Sequence, residues 1–209
     1  MKLYYAPLAC SLASRITMYE LGLEADFVCV DRHTKHLDDG SDYRAVHPLG
    51  LVPALETDDG ILLTEDHAIL RHLASLRPEA GLAPSDPRLD QWLSFIASEL
   101  HTAIFRPIFR PDTPPEVRAH AIASSAQPLG HVEQHLEGRL TLLEQFSVAD
   151  IALYVVLSWV PSTPIDLAAY PALEAFRARI AERPAAARAF GEELPVYREW
   201  AARTQAATG

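Results

Sequence analysis

Cys10 falls where a strand-like opening, Lys2-Leu3-Tyr4-Tyr5, gives way to a helix that begins near Ser11. The start of a helix exposes unpaired N–H groups and the positive end of the backbone dipole. An anion is stabilised there, and a cysteine thiol is expected to ionise more easily. A thiol so placed is a candidate for sulfur chemistry; the alternative for a small cysteine is to fill apolar space. A second helix opens at Glu65-Asp66. Bare backbone donors there suit a carboxylate, and acids at a helix start also complement the dipole by themselves. Nine histidines invite a metal reading. His131 and His135 share a helix and His33 and His36 share a loop, but no HExxH motif and no cysteine pair completes a ligand set, so no metal is expected. No glycine-rich phosphate loop is present.

The elements that must position these residues change character along the chain. Lys2 to Ala6 reads as a strand, and Ser11 to Leu21 as a helix with Leu12, Ile16 and Tyr19 at helical spacing and Gly22 at its end. Asp26 to Asp31 is a short strand rich in β-branched residues. A polar stretch from His33 to Ser41 precedes a short helix near Asp42 to Val46. Leu51 to Glu56 and Ile61 to Leu63 flank the turn Asp58-Asp59-Gly60, a hairpin pattern. A helix follows from about Glu65 to Arg77, which makes the order βαβαββα.

Beyond Asp86 the pattern is helical only. Ser85-Asp86-Pro87 caps a helix whose apolar face is Leu89, Trp92, Leu93, Ile96, Leu100 and Ile104. Thr113-Pro-Pro-Glu116 reads as a capping box for a helix reaching about Glu137, and Ser147-Val-Ala-Asp150 as a second box. Tyr170-Pro171 opens another helix with Leu173, Phe176 and Ile180 facing inward, Pro184 a shorter one, and the alanine-rich tail after Trp200 is expected to fray. Pro78, Gly81, Pro84 and Pro87 punctuate the boundary, dividing the chain into domains 1–80 and 86–204.

Composition narrows the class of function. With 209 residues, 49% of them apolar, the chain holds a core for one large or two small domains. No stretch approaches the length of a membrane span, and no signal peptide is seen at the N-terminus. Two cysteines argue against a disulfide framework and for a reducing, cytoplasmic setting. A formal charge of −10 disfavours nucleic acid.

In this order the segments resemble a glutathione transferase, most closely the bacterial beta class. Met1-Lys-Leu-Tyr-Tyr with Ala9-Cys10-Ser11-Leu12-Ala13-Ser14 is similar to the opening of that class, and Val46-His-Pro-Leu-Gly-Leu-Val-Pro53-Ala-Leu to its N-P-x-G-x-V-P-x-L segment. Leu63-Thr64-Glu65-Asp66, Glu99-Leu-His101, Phe109-Arg-Pro-Asp-Thr-Pro114 and Phe146-Ser-Val-Ala-Asp150 resemble further family segments. The resemblance implies a thioredoxin-like α/β domain, an all-α domain after it, a homodimer, and glutathione as co-substrate.

It also implies roles. Cys10 is expected close to the glutathione sulfur, with Ser11 offering a hydroxyl or N–H to the same atom or serving as a cap, and Tyr5 as a second choice of thiol activator. The Val52-Pro53 bond is expected to be cis, with the Val52 main chain beside the cysteinyl unit. Glu65 and the helix start would hold the γ-glutamyl group, and Lys35 the glycyl carboxylate. His101 would lie near the sulfur, while Ser94 and Ser98 would approach the partner subunit's glutathione. Asp66 departs from the family, which commonly has a small residue there, and Thr102 stands where relatives often carry lysine. The expected activity is conjugation of glutathione to a small hydrophobic electrophile in detoxification, with an apolar shelf on the helical half. The alternatives are a thiol–disulfide reductase or deglutathionylase using Cys10, and a non-catalytic protein-interaction module.

Overall fold

The structure is a computed structural model that describes residues 1–208, with side chains described through residue 203. By contact the chain divides into two units: Met1–Arg77 together with the chain from Arg183 onward, and Pro78–Glu182. The boundary read from the sequence follows the change of secondary structure. Packing follows contacts, and these group the last helix with the first unit.

The first unit is built on a four-stranded sheet in the order β2-β1-β3-β4. β1 (Lys2–Tyr5) runs parallel to β2 (Asp26–Cys29) and antiparallel to β3 (Ala54–Glu56), which pairs antiparallel with β4 (Leu62–Thr64). A parallel pair requires a crossover, supplied by α1 (Ser11–Glu20), whose Leu12 and Ile16 are fully buried. The hairpin forms at the expected turn. Gly60 (φ 82°) supplies the left-handed conformation and Thr57 N–H closes the loop on the Ile61 carbonyl at 2.9 Å. α2 (Asp66–Ser75) buries Ile69, Leu70 and Leu73 and packs along α1.

Strand alternation separates two neighbouring tyrosines. Tyr4 joins Val30, Tyr43, Ala54 and Val52 in one cluster. Tyr5 faces the other way, with the Arg15 guanidinium 5.0 Å from its ring centroid and Phe27 edge-on at 6.5 Å.

The second unit is helical. α3 (Pro87–Phe95) is capped by Asp86, which accepts from Arg88 N–H. It runs on through Ile96–Phe105, wound as π-helix, into α4 (Arg106–Phe109). α5 (Pro115–Ser124) and α6 (Ala126–Leu136) are separate helices where the sequence suggested one. The Thr113–Glu116 box does not form, because α5 begins at Pro115 and its N-cap position is Pro114, without a capping side chain. α7 (Val148–Ser158) is buried from Val148 to Leu157 and forms the core of this unit with α8 (Pro171–Ala181).

The capping box at α7 is present. Ser147 N–H donates to Asp150 Oδ2 at 2.8 Å, the Ser147 side chain takes part in the same box, and Leu142 N–H donates to Asp150 Oδ1 at 2.8 Å. Burial still pushes the Asp150 carboxyl up to about 6, against the pull of these donors.

α9 (Pro184–Thr208) is longer than the short helix expected, and continues through Pro195 and past Trp200 instead of fraying there. Its ion pairs explain the continuity. Glu192 and Glu193 meet Arg15 of α1 at 3.0 and 3.3 Å, and Arg183 pairs with Glu20, so the helix is fixed to α1 on the turn before the proline. Gly209 lies outside the described residues.

Candidate functional site

Three segments of the first unit converge: the β1–α1 turn, the loop before β3, and the start of α2. In the first, Cys10 is the N-cap residue of α1 and is partly exposed. Its Sγ donates to the Val52 carbonyl at 3.4 Å, which ties the turn to the loop before β3. The Val52–Pro53 peptide is cis, as expected from the sequence. Tyr43 donates its hydroxyl to the Leu51 carbonyl at 2.9 Å and packs its ring, tilted by 38°, against Tyr4 at 5.3 Å, bracing that loop from the core.

The ionisation of Cys10 runs opposite to the expectation from helix position. Burial pushes the thiol well up, and the carboxylates of Asp66 and Glu65 add to it. The N–H groups of Ser11 and Cys10 pull the other way but are outweighed. Cys10 is therefore a protonated hydrogen-bond donor at neutral pH rather than a ready thiolate.

The carboxylates responsible belong to the start of α2. Glu65 precedes the helix at φ 71°, ψ 119°, a conformation that costs a non-glycine residue of order 1–3 kcal/mol. Asp66 turns back toward α1, where Ser14 donates its hydroxyl to Asp66 Oδ1 at 3.1 Å. Burial raises the Asp66 carboxyl to about 7, with the Ser14 bond opposing and Glu65 reinforcing the shift.

Lys35 completes the group from the polar loop. Its residue has φ 63° and its stem lies over Gly50, where an added Cβ would meet Lys35 Cδ at 3.1 Å. Gly50 is favoured by its own φ of 59°, and a Cβ there would also push the Lys35 stem aside by a few tenths of an ångström. Burial, Arg44 and Arg32 lower the Lys35 ammonium, against Asp31, a setting that an added anion would relieve. Leu8, Lys35 and Glu65 are the non-glycine residues with positive φ among those described; Leu8 and Glu65 belong to two of the converging segments, and Lys35 to the polar loop that lies over Gly50. Strain of this kind gathers at functional sites.

Two candidates are placed elsewhere. The Ser11 hydroxyl is committed to the turn, accepting from Ala6 N–H and donating to the Ala6 carbonyl, each at 3.2 Å. It neither caps α1 nor is free to serve a sulfur; only its N–H, which already acts on Cys10, remains for that. Tyr5 points to the opposite sheet face, and burial raises its phenol to about 12, with Cys29 adding and Arg15 opposing. It is not available as a thiol activator.

In the second unit His101 lies in the π-helical stretch, partly buried, its ring 5.2 Å from that of Trp159. Burial and Arg106 lower its imidazole, which is neutral at neutral pH. Ser94, Ser98 and Thr102 are exposed on the same helical run, with Ser98 donating to Glu99 at 2.9 Å. Among the described residues no group of three or more histidine, cysteine or acidic side chains could hold a metal ion, and no helix is long and apolar enough to cross a membrane.

Sequence reasoning missed three supporting residues. Ser14 sits on the helical face that Cys10 opens, and i, i+4 spacing from Cys10 could have found it. Tyr43 gave no signal beyond an aromatic in a short helix. Glu193 accepts from Leu8 N–H at 2.7 Å and pairs with Arg15 at 3.3 Å, fixing the turn before Cys10 from 185 residues away in sequence.

Comparison with known proteins adds the family context. Residues 9–76 match the family model for the glutathione S-transferase N-terminal domain, and residues 96–184 the one for its C-terminal domain. The chain is 44% identical over 190 residues to the glutathione S-transferase GstA of Escherichia coli O157:H7, covering 88% of this chain and 94% of that one. A sphingomonad glutathione S-transferase solved with glutathione superposes with a TM-score of 0.88 at 44% identity, covering 92% and 98% of the two chains. A beta-class glutathione S-transferase of Sphingomonas chungbukensis gives 0.88 at 42% identity, with the same coverage.

Proposed function

The chain belongs to the glutathione S-transferase family, and from that premise we propose how its residues bind glutathione and conjugate it to small hydrophobic electrophiles. The observation that carries the reading is the convergence of Cys10, the cis Val52–Pro53 loop and the strained Glu65 on one place in the first unit. The relative solved with glutathione at 44% identity supports the choice of ligand.

Glutathione has three groups to be recognised, and the site offers chemistry for each. The N–H groups opening α2 suit the γ-glutamyl carboxylate, and the Glu65 carboxylate suits the ammonium beside it. The Val52 main chain, next to Pro53, pairs with the cysteinyl unit in the manner of an added strand. Lys35, lowered by burial and by its cationic neighbours Arg44 and Arg32, takes the glycyl carboxylate.

The sulfur then lies beside Cys10. On binding, the protonated Cys10 thiol turns its hydrogen from the Val52 carbonyl, which the cysteinyl N–H then takes, to the glutathione sulfur, and with the Ser11 N–H it stabilises the thiolate. His101 is assigned the role of base on the family resemblance, and its imidazole, lowered by burial and Arg106, is neutral at neutral pH. The thiolate forms a carbon–sulfur bond with the electrophile, and a halide departs with the bonding pair or an activated double bond takes up the electrons. Positioning and thiolate stabilisation supply the rate. Ser94 and Ser98 are assigned to contacts made across a homodimer, and the two free cysteines suit a cytoplasmic setting.

The raised Cys10 thiol speaks against the disulfide-reductase alternative, which needs Cys10 as a thiolate nucleophile. Cys10→Ala tests the reading. Conjugation of glutathione to a chlorodinitrobenzene is expected to survive within about tenfold, the loss of one donor to the thiolate. Loss of conjugation to background, with wild type active in thiol–disulfide exchange, would overturn it.

A further inference from the structure

Asp66 is the residue whose chemistry the binding reading does not absorb. It stands in the first turn of α2, where the proposed ligand brings a carboxylate, and it is itself an acid. An ionised Asp66 would repel that carboxylate; a protonated one would donate to it. Its geometry is settled on one side only: Oδ1 accepts the Ser14 hydroxyl at 3.1 Å, which holds the carboxyl against α1 and beside Cys10.

Resting on the glutathione-binding reading, we propose that Asp66 makes binding proton-linked: the protein takes up a proton on Asp66 as the γ-glutamyl carboxylate arrives, so the site favours its ligand in mildly acidic conditions. The charges around Asp66 are consistent with this. Glu65, just before α2, disfavours a second negative charge, and on the α1 side Asp66 meets Ser14 and the N-cap residue Cys10, neither of which is a cation. The cation of α1, Arg15, is engaged by Glu192 and Glu193, and Glu20 by Arg183. On β3, Glu56 accepts from Lys2 and Tyr4, and β4 carries no ionisable side chain. His67, Arg71 and His72 lie further along α2, His72 near Asp59 of the hairpin turn. Burial already sets the Asp66 carboxyl at about 7, within reach of this switch.

Calorimetric titration with S-methylglutathione, which removes the ligand's thiol from the balance, tests the proposal. At pH 6, 7 and 8, in buffers of different ionisation enthalpy, wild type is expected to take up close to one proton at pH 8. It should bind about tenfold more weakly at pH 8 than at pH 6. Asp66→Asn, which keeps a donor without a charge, should flatten this dependence, and His67→Gln should leave it intact. The analogue 4-aminobutanoyl-(S-methylcysteinyl)-glycine, which lacks the γ-glutamyl carboxylate and likewise has no free thiol, should bind wild type without the Asp66-dependent slope. Equal slopes in wild type and Asp66→Asn, or a slope that His67→Gln removes, would overturn the proton link while leaving glutathione binding in place. Failure of wild type and Asp66→Asn to bind at any of these pH values would instead overturn the binding reading.

Discussion

Asp66 and Asp150 are two aspartates in the first turns of two helices, the first partly and the second fully buried, and burial raises both, to about 7 and about 6. Their surroundings differ. Asp150 collects Leu142 N–H, Ser147 N–H and the Ser147 hydroxyl, a set of donors that closes on itself within one unit's core. Asp66 is held by one hydroxyl, beside a cysteine and next to a strained glutamate. Equal placement on a helix thus serves two ends. A fully satisfied carboxylate nucleates structure, whereas a partly satisfied one retains the capacity to answer a ligand.

Asp150→Ala breaks the comparison hardest. Two backbone N–H groups and a hydroxyl lose their acceptor in a dry core, so a stability loss of about 3 kcal/mol is expected. In thermal unfolding that corresponds to a midpoint lower by about 10 °C. Asp66→Ala should cost far less, because one exchangeable hydroxyl loses a partner; a comparable loss would erase the distinction drawn here.

The pH dependence of stability is next in size. Asp66 has a folded value of about 7 against an ordinary 3.8, so between about pH 4 and 7 the folded chain binds more protons than the unfolded one. Stability from this group therefore rises as pH falls through that window, and is lost as pH rises toward 7. Asp150 acts the same way over the narrower window from about 4 to 6. Denaturant melts of Asp66→Asn should show less gain between pH 7 and pH 5 than wild type; an identical gain would remove Asp66 from the linkage.

Two conservative changes sharpen the contrast at the smaller end. Ser147→Ala should destabilise by about 1 kcal/mol, the usual worth of an N-cap, at every pH tested. Ser14→Ala should cost about as much or less, and it should move the pH midpoint of ligand binding upward, because Ser14 is the donor that favours the charged form of Asp66. An unmoved midpoint would show that Ser14 does not govern the carboxyl.

How much of this could be read from the sequence depends on how local each feature is. The hairpin at Asp58-Asp59-Gly60 and the Ser147–Asp150 box are written in adjacent residues, and both stand where the sequence put them. The element order βαβαββα was legible, whereas the sheet order β2-β1-β3-β4 comes from the structure, within the few arrangements that short connections leave. Non-local contacts were illegible. α9 continues through Pro195 because Glu192 and Glu193 are fixed by Arg15, some 178 residues away. The failed box at Thr113 shows the converse: a fitting motif yields when the following prolines move the helix start.

In the site, motif positions named Cys10, Lys35, Val52, Pro53, Glu65 and Asp66, and the structure brings their segments together in one unit. What motifs could not supply was direction. Tyr5 points away because neighbours on a strand alternate, the Ser11 hydroxyl is spent on Ala6, and Cys10 keeps its proton because its thiol is buried, with two carboxylates nearby adding to the effect.

The most direct test of the central claim is a crystal structure of the protein grown with reduced glutathione. The sulfur should lie beside Cys10, the cysteinyl main chain along Val52, and the γ-glutamyl group at the start of α2 by Glu65 and Asp66. Glutathione bound elsewhere on the chain, or its γ-glutamyl end turned away from α2, would contradict the account.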